Sequence, residues 1–333
     1  MQIQKEHDLP LVSIVIPMLN EIESIETCLN SILDQTYPIN QIEIVVVDGC
    51  STDGSLEKVI QLAQIYSNIH LFNNPLKRTP ISLNIGVKNS NGDVIIILGA
   101  HTHIRNDFVE LNIRSMQEQG VKCTGGTQLN TGKTFLQCAI GLAMGSRLGI
   151  PSAPYRFYKK PCFVDTVVYA AYARELFDQL GYFNEELHIS EDAEFNWRIR
   201  KAGYQIYYSP EIISYYYPRK NLRQLSRQFF NYGILRVNVI KRHPDAMRLI
   251  HLAPPLFVLA LMALTVMSAF GTDFMMSLVA LLGAYSLYIL TASIMTCKQE
   301  HSWKYLFLLP AVFIAMQISW GTGFLVGILK TYK

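Results

Sequence analysis

The chain has 333 residues, half of them hydrophobic, and its 29 Lys and Arg against 26 Asp and Glu leave a formal net charge of +3. So small a charge does not indicate nucleic-acid binding. The six cysteines are scattered without a CxxC pair, so the sequence predicts neither a zinc site nor a disulfide framework.

Strands alternate with helices through the first third of the chain. In chain order the predicted elements are a strand at 11–17, a helix over 21–35, a strand at 42–48, helices over 55–66 and 79–89, and a strand at 94–98. Because the strand segments are continuously apolar, they predict an α/β fold with a parallel sheet covered on both faces. Such sheets bind ligands at the carboxyl ends of their strands, so polar residues there are site candidates.

The last 83 residues contain only six charged residues. Three stretches without any charge, at 252–271, 274–296 and 305–329, are each long enough to cross a bilayer of ~30 Å at ~1.5 Å per residue. The sequence therefore predicts about three transmembrane helices in a region over 251–333.

Basic residues suggest how these helices are oriented. Lys241, Arg242 and Arg248 precede the first apolar stretch, which places that end in the cytoplasm. The polar N-terminus lacks the apolar core of a signal peptide, so the part before the membrane region is also predicted to be cytoplasmic. Three crossings would leave Lys330 and Lys333 outside, against the rule that basic residues stay on the cytoplasmic side, unless the third stretch is re-entrant or tilted.

Two polar motifs follow the first two strands. The first, PMLNE, contains Pro17, Asn20 and Glu21, and the second, DGCSTDGS, begins at Asp48. Alternatively, Asn20 and Glu21 have a purely structural role at a helix N-terminus, where Asn is a common cap and Glu is favoured in the first turn. Asp48 ends a buried strand, where a carboxylate is costly unless it meets a partner such as the N–H groups of a nucleotide base.

Two further constellations lie downstream. Glu191 and Asp192 open a helical segment, where a carboxylate is well placed to act as a general base; helix-end electrostatics with Ser190 as cap is the alternative. The segment 219–250 is basic and amphipathic, and includes Arg227 and Arg236. It is interpreted either as an interfacial helix held by anionic lipids or as a source of diphosphate contacts.

Taken together, the segments IVIPMLNE, VVVDGCSTDGS and PISLNIGVKNSNGDVIIILGAHT resemble the nucleotide-binding half of family 2 glycosyltransferases. The segments GAHT, VDTVVYAAYARELFDQLGYFNEEL, EDAEFNWRIRKAGY and RQFFNYG resemble the membrane-anchored succinoglycan-type exopolysaccharide enzymes of that family. The resemblance implies a GT-A catalytic domain over 1–218 and inverting transfer from a nucleoside diphosphate sugar, most simply a UDP-sugar.

By the same resemblance, individual residues acquire roles. Asp192 matches the catalytic base, with Glu191 beside it as an acceptor or diphosphate contact. The nucleotide sugar would be bound by Pro17, Asn20, Glu21, Asp48, Arg78 and Asn84. Arg78 is otherwise a solvated loop charge, and Asn84 otherwise only orients the backbone.

The resemblance departs from the common pattern after the third strand. Most family members have an Asp-x-Asp motif there that binds a divalent cation, whereas this chain has Gly99 and His101. His101 can ligate Mn²⁺ through its imidazole, while Mg²⁺ prefers oxygen ligands, so the identity of the cation stays open. His103 is interpreted as structural.

The resemblance implies a multi-pass protein of the cytoplasmic membrane that adds a sugar to a polyprenyl-linked glycan during polysaccharide or cell-surface glycan synthesis. A polyprenyl-phosphate sugar synthase is one alternative. A processive synthase is disfavoured because the Gln-x-x-Arg-Trp motif is not met at Gln228. A catalytically silent membrane scaffold is the alternative from another class.

Overall fold

A computed structural model of the chain describes residues 9–151, 153–187 and 191–329. The chain divides into two compact units, described separately below. The first contains the described residues of Met1–Leu129 and Ala153–Tyr216, and the second those of Asn130–Ser152 and Tyr217–Lys333. Residues Asn130–Ser152, which fall within the predicted catalytic domain 1–218, thus belong to the second unit, and the predicted domain boundaries stay predictions.

The first unit is built on one sheet, which has nine strands in the described part of the chain. They are β1 Val12–Met18, β2 Ile42–Asp48, β3 Ile69–Asn73, β4 Val94–Ile97, β5 Thr102–Ile104, β6 Cys123–Asn130, β7 Cys162–Val164, β8 Ala171–Ala173 and β9 Ile206–Tyr216. Their order is β3-β2-β1-β4-β8-β6-β9-β5, with β7 paired to β9.

Eleven α-helices lie in the same described ranges. They are α1 Ile25–Leu33, α2 Ser55–Ile65, α3 Thr79–Lys88, α4 Phe108–Gln119, α5 Phe135–Gly145, α6 Arg174–Leu180, α7 Glu191–Lys201, α8 Leu222–Arg242, α9 Ala253–Met267, α10 Thr272–Gln299 and α11 Leu309–Leu329. Helix α5 and helices α8 to α11 belong to the second unit.

The parallel sheet predicted from the apolar strands is confirmed at its centre. Strand β1 pairs in parallel with both β2 and β4, with Val12 opposite Ile42 on one side and Val94 on the other. Alternate residues of β1 face two separate clusters, Ile14 in one and Val15 in the other, so both faces of the sheet are covered. The sequence analysis missed β3 and the antiparallel strands from β5 onward.

Helix α1 begins four residues later than predicted. Asn20 has a left-handed backbone with φ of 55°, and Glu21 to Ser24 form a turn before the helix. The amide of Glu21 donates to Ser55 Oγ and that of Ile22 to Asp53 Oδ2. Asn20 therefore does not cap α1, because the turn from Glu21 to Ser24 separates it from the helix. The amides at the start of this turn donate instead to side chains of the loop after β2.

The second unit contains three helical segments long and apolar enough to cross a membrane, as predicted: Leu249–Met267, Thr272–Gln299 and Leu309–Leu329. Their mean hydropathies lie between 1.8 and 2.1. The shorter apolar helix α5 packs in the same unit, where Phe135 contacts Tyr305 with ring centroids 4.6 Å apart.

Candidate active site

A pocket of about 280 Å³ lies in the first unit at the carboxyl ends of β1, β2 and β4. These ends lie side by side because β1 pairs with both neighbours in parallel. Five of the residues predicted from the sequence line the pocket: Pro17, Glu21, His101, Glu191 and Asp192. Segments up to 175 residues apart in sequence are thus brought to one edge of the sheet.

Side-chain to backbone hydrogen bonds join the two strand-end motifs. Asn20 Oδ1 accepts from the Thr52 amide at 2.8 Å, and Ser51 Oγ accepts from the Asn20 amide at 2.9 Å. The Asn20 side chain therefore supports the loop after β2, at the rim of the pocket.

Asp48 is almost fully buried and organises the turn that follows β2. Its Oδ1 accepts from Ser51 Oγ at 2.6 Å, and its Oδ2 lies 3.1 Å from the Ser51 amide. The neighbouring Gly49, rather than Asp48, lines the pocket. The carboxylate thus has a structural partner of its own, and its predicted contact with a nucleotide stays a prediction.

Unusual backbone conformations concentrate around the pocket. Of the five non-glycine residues with positive φ in the described ranges, Asn20, Cys50, Lys77 and Tyr169 lie in loops at this site. Lys77 and Tyr169, with φ of 56° and 51°, line the pocket directly. Positive φ is costly for such side chains and is typical of functional loops. The sequence analysis missed both residues: Lys77 lies outside the quoted segments, and Tyr169 lies within VDTVVYAAYARELFDQLGYFNEEL but was given no role there.

The loop that carries Lys77 and Arg78 is held by the buried side chain of Asn74. Asn74 Nδ2 donates to the Arg78 carbonyl at 3.0 Å and to Ser82 Oγ at 2.8 Å. In Arg78, Nε and Nη2 are buried and have no acceptor among the described residues. Because unpaired buried guanidinium donors are costly, this arrangement favours an anionic ligand beside Lys77 and Arg78.

His101 is paired with Glu21 inside the pocket. Its Nδ1 lies 3.0 Å from Glu21 Oε1, and Glu21 Oε2 accepts from Ser24 Oγ at 2.8 Å. His103 instead stacks on Tyr215 with ring centroids 4.5 Å apart, does not line the pocket, and has a pKa lowered by burial. Only the first histidine is therefore positioned for a ligand.

Gly99 stands where the resemblance implies a carboxylate. A Cβ added there would meet Thr102 Oγ1 at 3.4 Å, Tyr169 Cε1 at 3.6 Å and His101 Cε1 at 3.7 Å. These are ordinary contact distances, and Gly99 does not have positive φ. Neither crowding nor backbone conformation therefore requires glycine at this position.

The two carboxylates at the start of α7 both line the pocket. Burial, followed by repulsion from Asp192, raises the pKa of Glu191 to about 8. Glu191 Oε2 is buried and has no hydrogen-bond partner in the described part of the chain. Asp192 Oδ1 accepts from the Ala193 amide at 2.7 Å. Ser190, proposed as the helix cap, lies outside the described residues.

Two neighbouring side chains have structural partners. Glu194, in the first turn of α7, is buried and paired with Arg198 at 3.0 Å. Asn84 is also buried: its Nδ2 donates to the Phe183 carbonyl and its Oδ1 accepts from the Phe183 amide, both at 2.9 Å. Asn84 does not line the pocket, and these bonds correspond to the backbone-orienting alternative.

Arg227 and Arg236 belong to α8 of the second unit. Arg227 is exposed and Arg236 is partly buried. Their predicted contacts with an acceptor or a diphosphate stay predictions.

This chain matches the family model described as "Glycosyl transferase family 2" over residues 13–181. It is 31% identical over 238 residues to a Methanococcus voltae protein named dolichyl N-acetyl-alpha-D-glucosaminyl phosphate 3-beta-D-2,3-diacetamido-2,3-dideoxy-beta-D-glucuronosyltransferase, covering 69% of this chain and 74% of the relative. It is 29% identical over 232 residues to the succinoglycan biosynthesis protein ExoA of Rhizobium meliloti, covering 69% of this chain and 70% of ExoA.

Among solved structures, the chain is similar to the mannosyltransferase PcManGT from Pyrobaculum calidifontis in complex with GDP-Man and Mn²⁺. The TM-score is 0.64 at 21% sequence identity, over 94% of this chain and 87% of that one. At this identity the likeness concerns the fold.

Proposed function

Because the chain belongs to glycosyl transferase family 2 and has the GT-A fold, we propose that it transfers a sugar from a nucleoside diphosphate sugar to a hydroxyl group of a lipid-linked oligosaccharide or polysaccharide acceptor. The observation that carries this proposal is the pocket in which Glu191 and Asp192 meet the ends of the parallel strands. A carboxylate pair, a cationic loop and strand-end motifs are then within reach of one donor.

The names of the relatives support the choice of acceptor. One is named for transfer to a sugar carried on a dolichyl phosphate and the other for succinoglycan biosynthesis. The apolar helices would hold the enzyme at the cytoplasmic membrane, beside such acceptors, with the catalytic unit facing the cytoplasm. We expect UDP as the nucleotide, and GDP as the next choice because PcManGT carries GDP-Man.

The donor would lie across the strand ends. Pro17, Asn20 and Asp48 would surround the nucleoside, and Asn84 would act by holding the 183–185 loop rather than by contact. Lys77 and Arg78 would face the diphosphate. Arg78 has buried donors without acceptors, which the phosphate oxygens would satisfy.

The proposed reaction is a direct displacement at the anomeric carbon. The acceptor oxygen forms the new bond as the bond from the anomeric carbon to the diphosphate oxygen breaks, so the configuration inverts. Asp192 takes the proton of the acceptor hydroxyl, and the charge that develops on the nucleoside diphosphate is offset by Lys77 and Arg78.

His101 and Glu21 fit a divalent cation in part. Glu21 engages Nδ1 of His101 and leaves Nε2 as the ring nitrogen available to a ligand, with a carboxylate alongside. No group of three or more potential metal ligands occurs in the described ranges, so the oxygens of the donor diphosphate would have to complete the set. When bound, such a cation would offset the charge of the leaving group.

Mn²⁺ is expected to support activity better than Mg²⁺, because imidazole favours the softer ion. His101→Ala should erase most of this difference, and His103→Ala should leave it unchanged, because His103 lies outside the pocket. Gly99→Asp, whose Cβ the local spacing tolerates, should improve activity with Mg²⁺ by adding a carboxylate oxygen. The measurement is the transfer rate against metal concentration; full activity in excess chelator contradicts a metal requirement.

Asp48→Ala is expected to raise the Kd for the nucleotide roughly tenfold or more, since hydrogen bonds to a charged group contribute ~1.5–3 kcal/mol and Asp48 also organises the turn that ends β2. Isothermal calorimetry measures this directly. Glu57→Ala, which removes an exposed carboxylate from α2, is the matched control and should leave the Kd unchanged. Unchanged affinity in folded Asp48→Ala contradicts the nucleotide role.

The proposed function is tested with the purified 333-residue chain and a panel of UDP- and GDP-sugars presented with extracted lipid-linked acceptors. Mass spectrometry is expected to detect one sugar added to a lipid-linked glycan, and far less of this product in the same time with Asp192→Asn. A sugar monophosphate lipid would identify the polyprenyl-phosphate synthase instead. If the protein neither transfers nor hydrolyses any of the donors, the result would support the catalytically silent scaffold instead.

A further inference from the structure

The last apolar helix, α11, packs differently from α9 and α10. Side chains more than half exposed extend along α9 and α10: Leu256, Met262, Val266, Met276, Val279 and Leu287. Phe270, between the two helices, is 81% exposed. In α11 the large apolar side chains exposed to this extent are Ile328 and Leu329, both in the last turn. Helices α9 and α10 thus offer a bare apolar surface, whereas α11 is covered more by protein, with 39% of its apolar stretch buried against 17% in each of the other two.

Much of this cover comes from α8, which lies against α11 at backbone contact distance. A Cβ added at Gly323 would come within 2.0 Å of the Phe230 carbonyl oxygen. One at Gly327 would come within 2.9 Å of Ile234 Cα. Along both helices the residue numbers of the contacts increase together, so α8 and α11 run in parallel.

A lysine fixes the ends of this helix pair. Lys241 Nζ donates to the carbonyl oxygens of Gly327 and Ile328 at 2.9 and 3.0 Å, so it satisfies acceptors at the C-terminus of α11. Lys241 is the penultimate residue of α8, and the chain enters α9 shortly afterwards, at Ala253. The end of α11 therefore lies beside the segment that leads into α9.

This contact constrains the membrane topology, given the membrane location proposed above. If α9 enters the bilayer and α10 returns, α9 begins and α10 ends at the same membrane face. Helix α11 starts at Leu309, soon after α10 ends at Gln299, and reaches the start of α9 at Gly321, where an added Cβ would come within 2.6 Å of the Pro254 carbonyl oxygen. We infer that α11 does not cross the membrane, and that it forms with α8 an interfacial pair on the cytoplasmic face, from which the α9–α10 hairpin enters the lipid.

The distribution of charge supports two insertions rather than three. Helix α8 cannot enter the bilayer alongside α11 without carrying Arg227 and Arg236 into hydrocarbon, where charges are strongly disfavoured. An interfacial pair keeps these arginines at the lipid headgroups. It also puts the end of α11 at Leu329, which precedes Lys330 and Lys333 in the sequence, on the cytoplasmic side. The conflict with the positive-inside rule then disappears.

The topology is tested in the 333-residue chain with an epitope tag after residue 333 and, in a second variant, with the tag between Phe270 and Gly271. Right-side-out and inside-out vesicles are treated with protease and probed for the tag. The C-terminal tag should be lost only from inside-out vesicles. The tag at the hairpin tip should be lost only from right-side-out vesicles, which also verifies their orientation.

Loss of the C-terminal tag from right-side-out vesicles would show three crossings and overturn the inference alone. Loss of the tip tag only from inside-out vesicles would show that the hairpin stays outside the bilayer, and would overturn the inference as well. A chain found in the soluble fraction would overturn the proposed membrane location and this inference with it. The donor and acceptor assays on the purified protein test the catalytic proposal independently of all three.

Discussion

Asp192→Asn is expected to lower the transfer rate by ~10²–10⁴ while the Kd for the donor nucleotide stays within about twofold of the parent, since general-base catalysis contributes about that much. The substitution is nearly isosteric and retains an oxygen that can accept from the Ala193 amide. It removes the ability to take a proton from the acceptor hydroxyl. The rate and the affinity should therefore respond separately.

The measurement is single-turnover transfer with saturating donor, together with calorimetry on the same samples. Glu186→Gln, an exposed carboxylate in the segment before α7, is the control for charge loss and should transfer at the parental rate. Parental transfer by Asp192→Asn would show that another group is the base. A fall in donor affinity matching the fall in rate would show that Asp192 binds the donor instead.

Glu191→Gln is expected to stabilise the fold. The pKa of Glu191 is raised to about 8 by burial and by Asp192, so the folded state holds this proton more tightly than the unfolded chain does. Its contribution makes stability decrease as pH rises from the usual carboxyl range near 4.5 to about 8, and level off above that. Glutamine should remove this decrease and raise the free energy of unfolding at pH ~9 by more than about 1 kcal/mol.

Glu194→Gln is the matched comparison, because Glu194 is a buried carboxylate of the same helix that has its counter-charge. It pairs with Arg198 at 3.0 Å, and breaking a buried pair costs about 3 kcal/mol. The two substitutions should therefore shift the unfolding temperature in opposite directions at pH ~9. Destabilisation by Glu191→Gln, or stabilisation that is the same at pH ~5, would contradict the buried, protonated state of Glu191.

These expectations assign different roles to two adjacent carboxyl groups. Glu191 would keep its proton at neutral pH, because one of its oxygens is buried without a partner beside a second acid. Asp192 would be the group that takes up a proton from the acceptor. Sites where the surroundings keep one of two neighbouring carboxyl groups protonated and the other ionised are characteristic of acid–base catalysis.

Much of the fold could be predicted from the chain because its central signals are local. Continuous apolar segments predicted β1, β2 and β4, and their parallel pairing placed Pro17 and His101 at one edge of the sheet. Strand β3 was missed because only one of its five residues, Ile69, is buried, so it lacks the continuous apolar pattern. The antiparallel strands β5, β7 and β8 have three residues each, too few to show a period.

The positions of several side chains at the site could not be predicted for a different reason. Lys77 and Tyr169 reach the pocket through loops with positive φ, which lysine and tyrosine do not signal in sequence. Asn84 is well placed in sequence for a ligand, but its amide is committed to Phe183, 99 residues further along the chain. Such pairings depend on how distant segments fold together.

The sequence by itself determined the parallel centre of the sheet, the chemistry at its strand ends and the apolar character of the last helices, because each depends on residue order within a short window. Only the tertiary structure decided that Glu191 is buried without a partner for one oxygen, that Arg78 has unsatisfied donors and that Lys241 holds the end of α11. Burial, hydrogen-bond satisfaction and helix pairing are set by neighbours far away in the chain, so no local pattern records them.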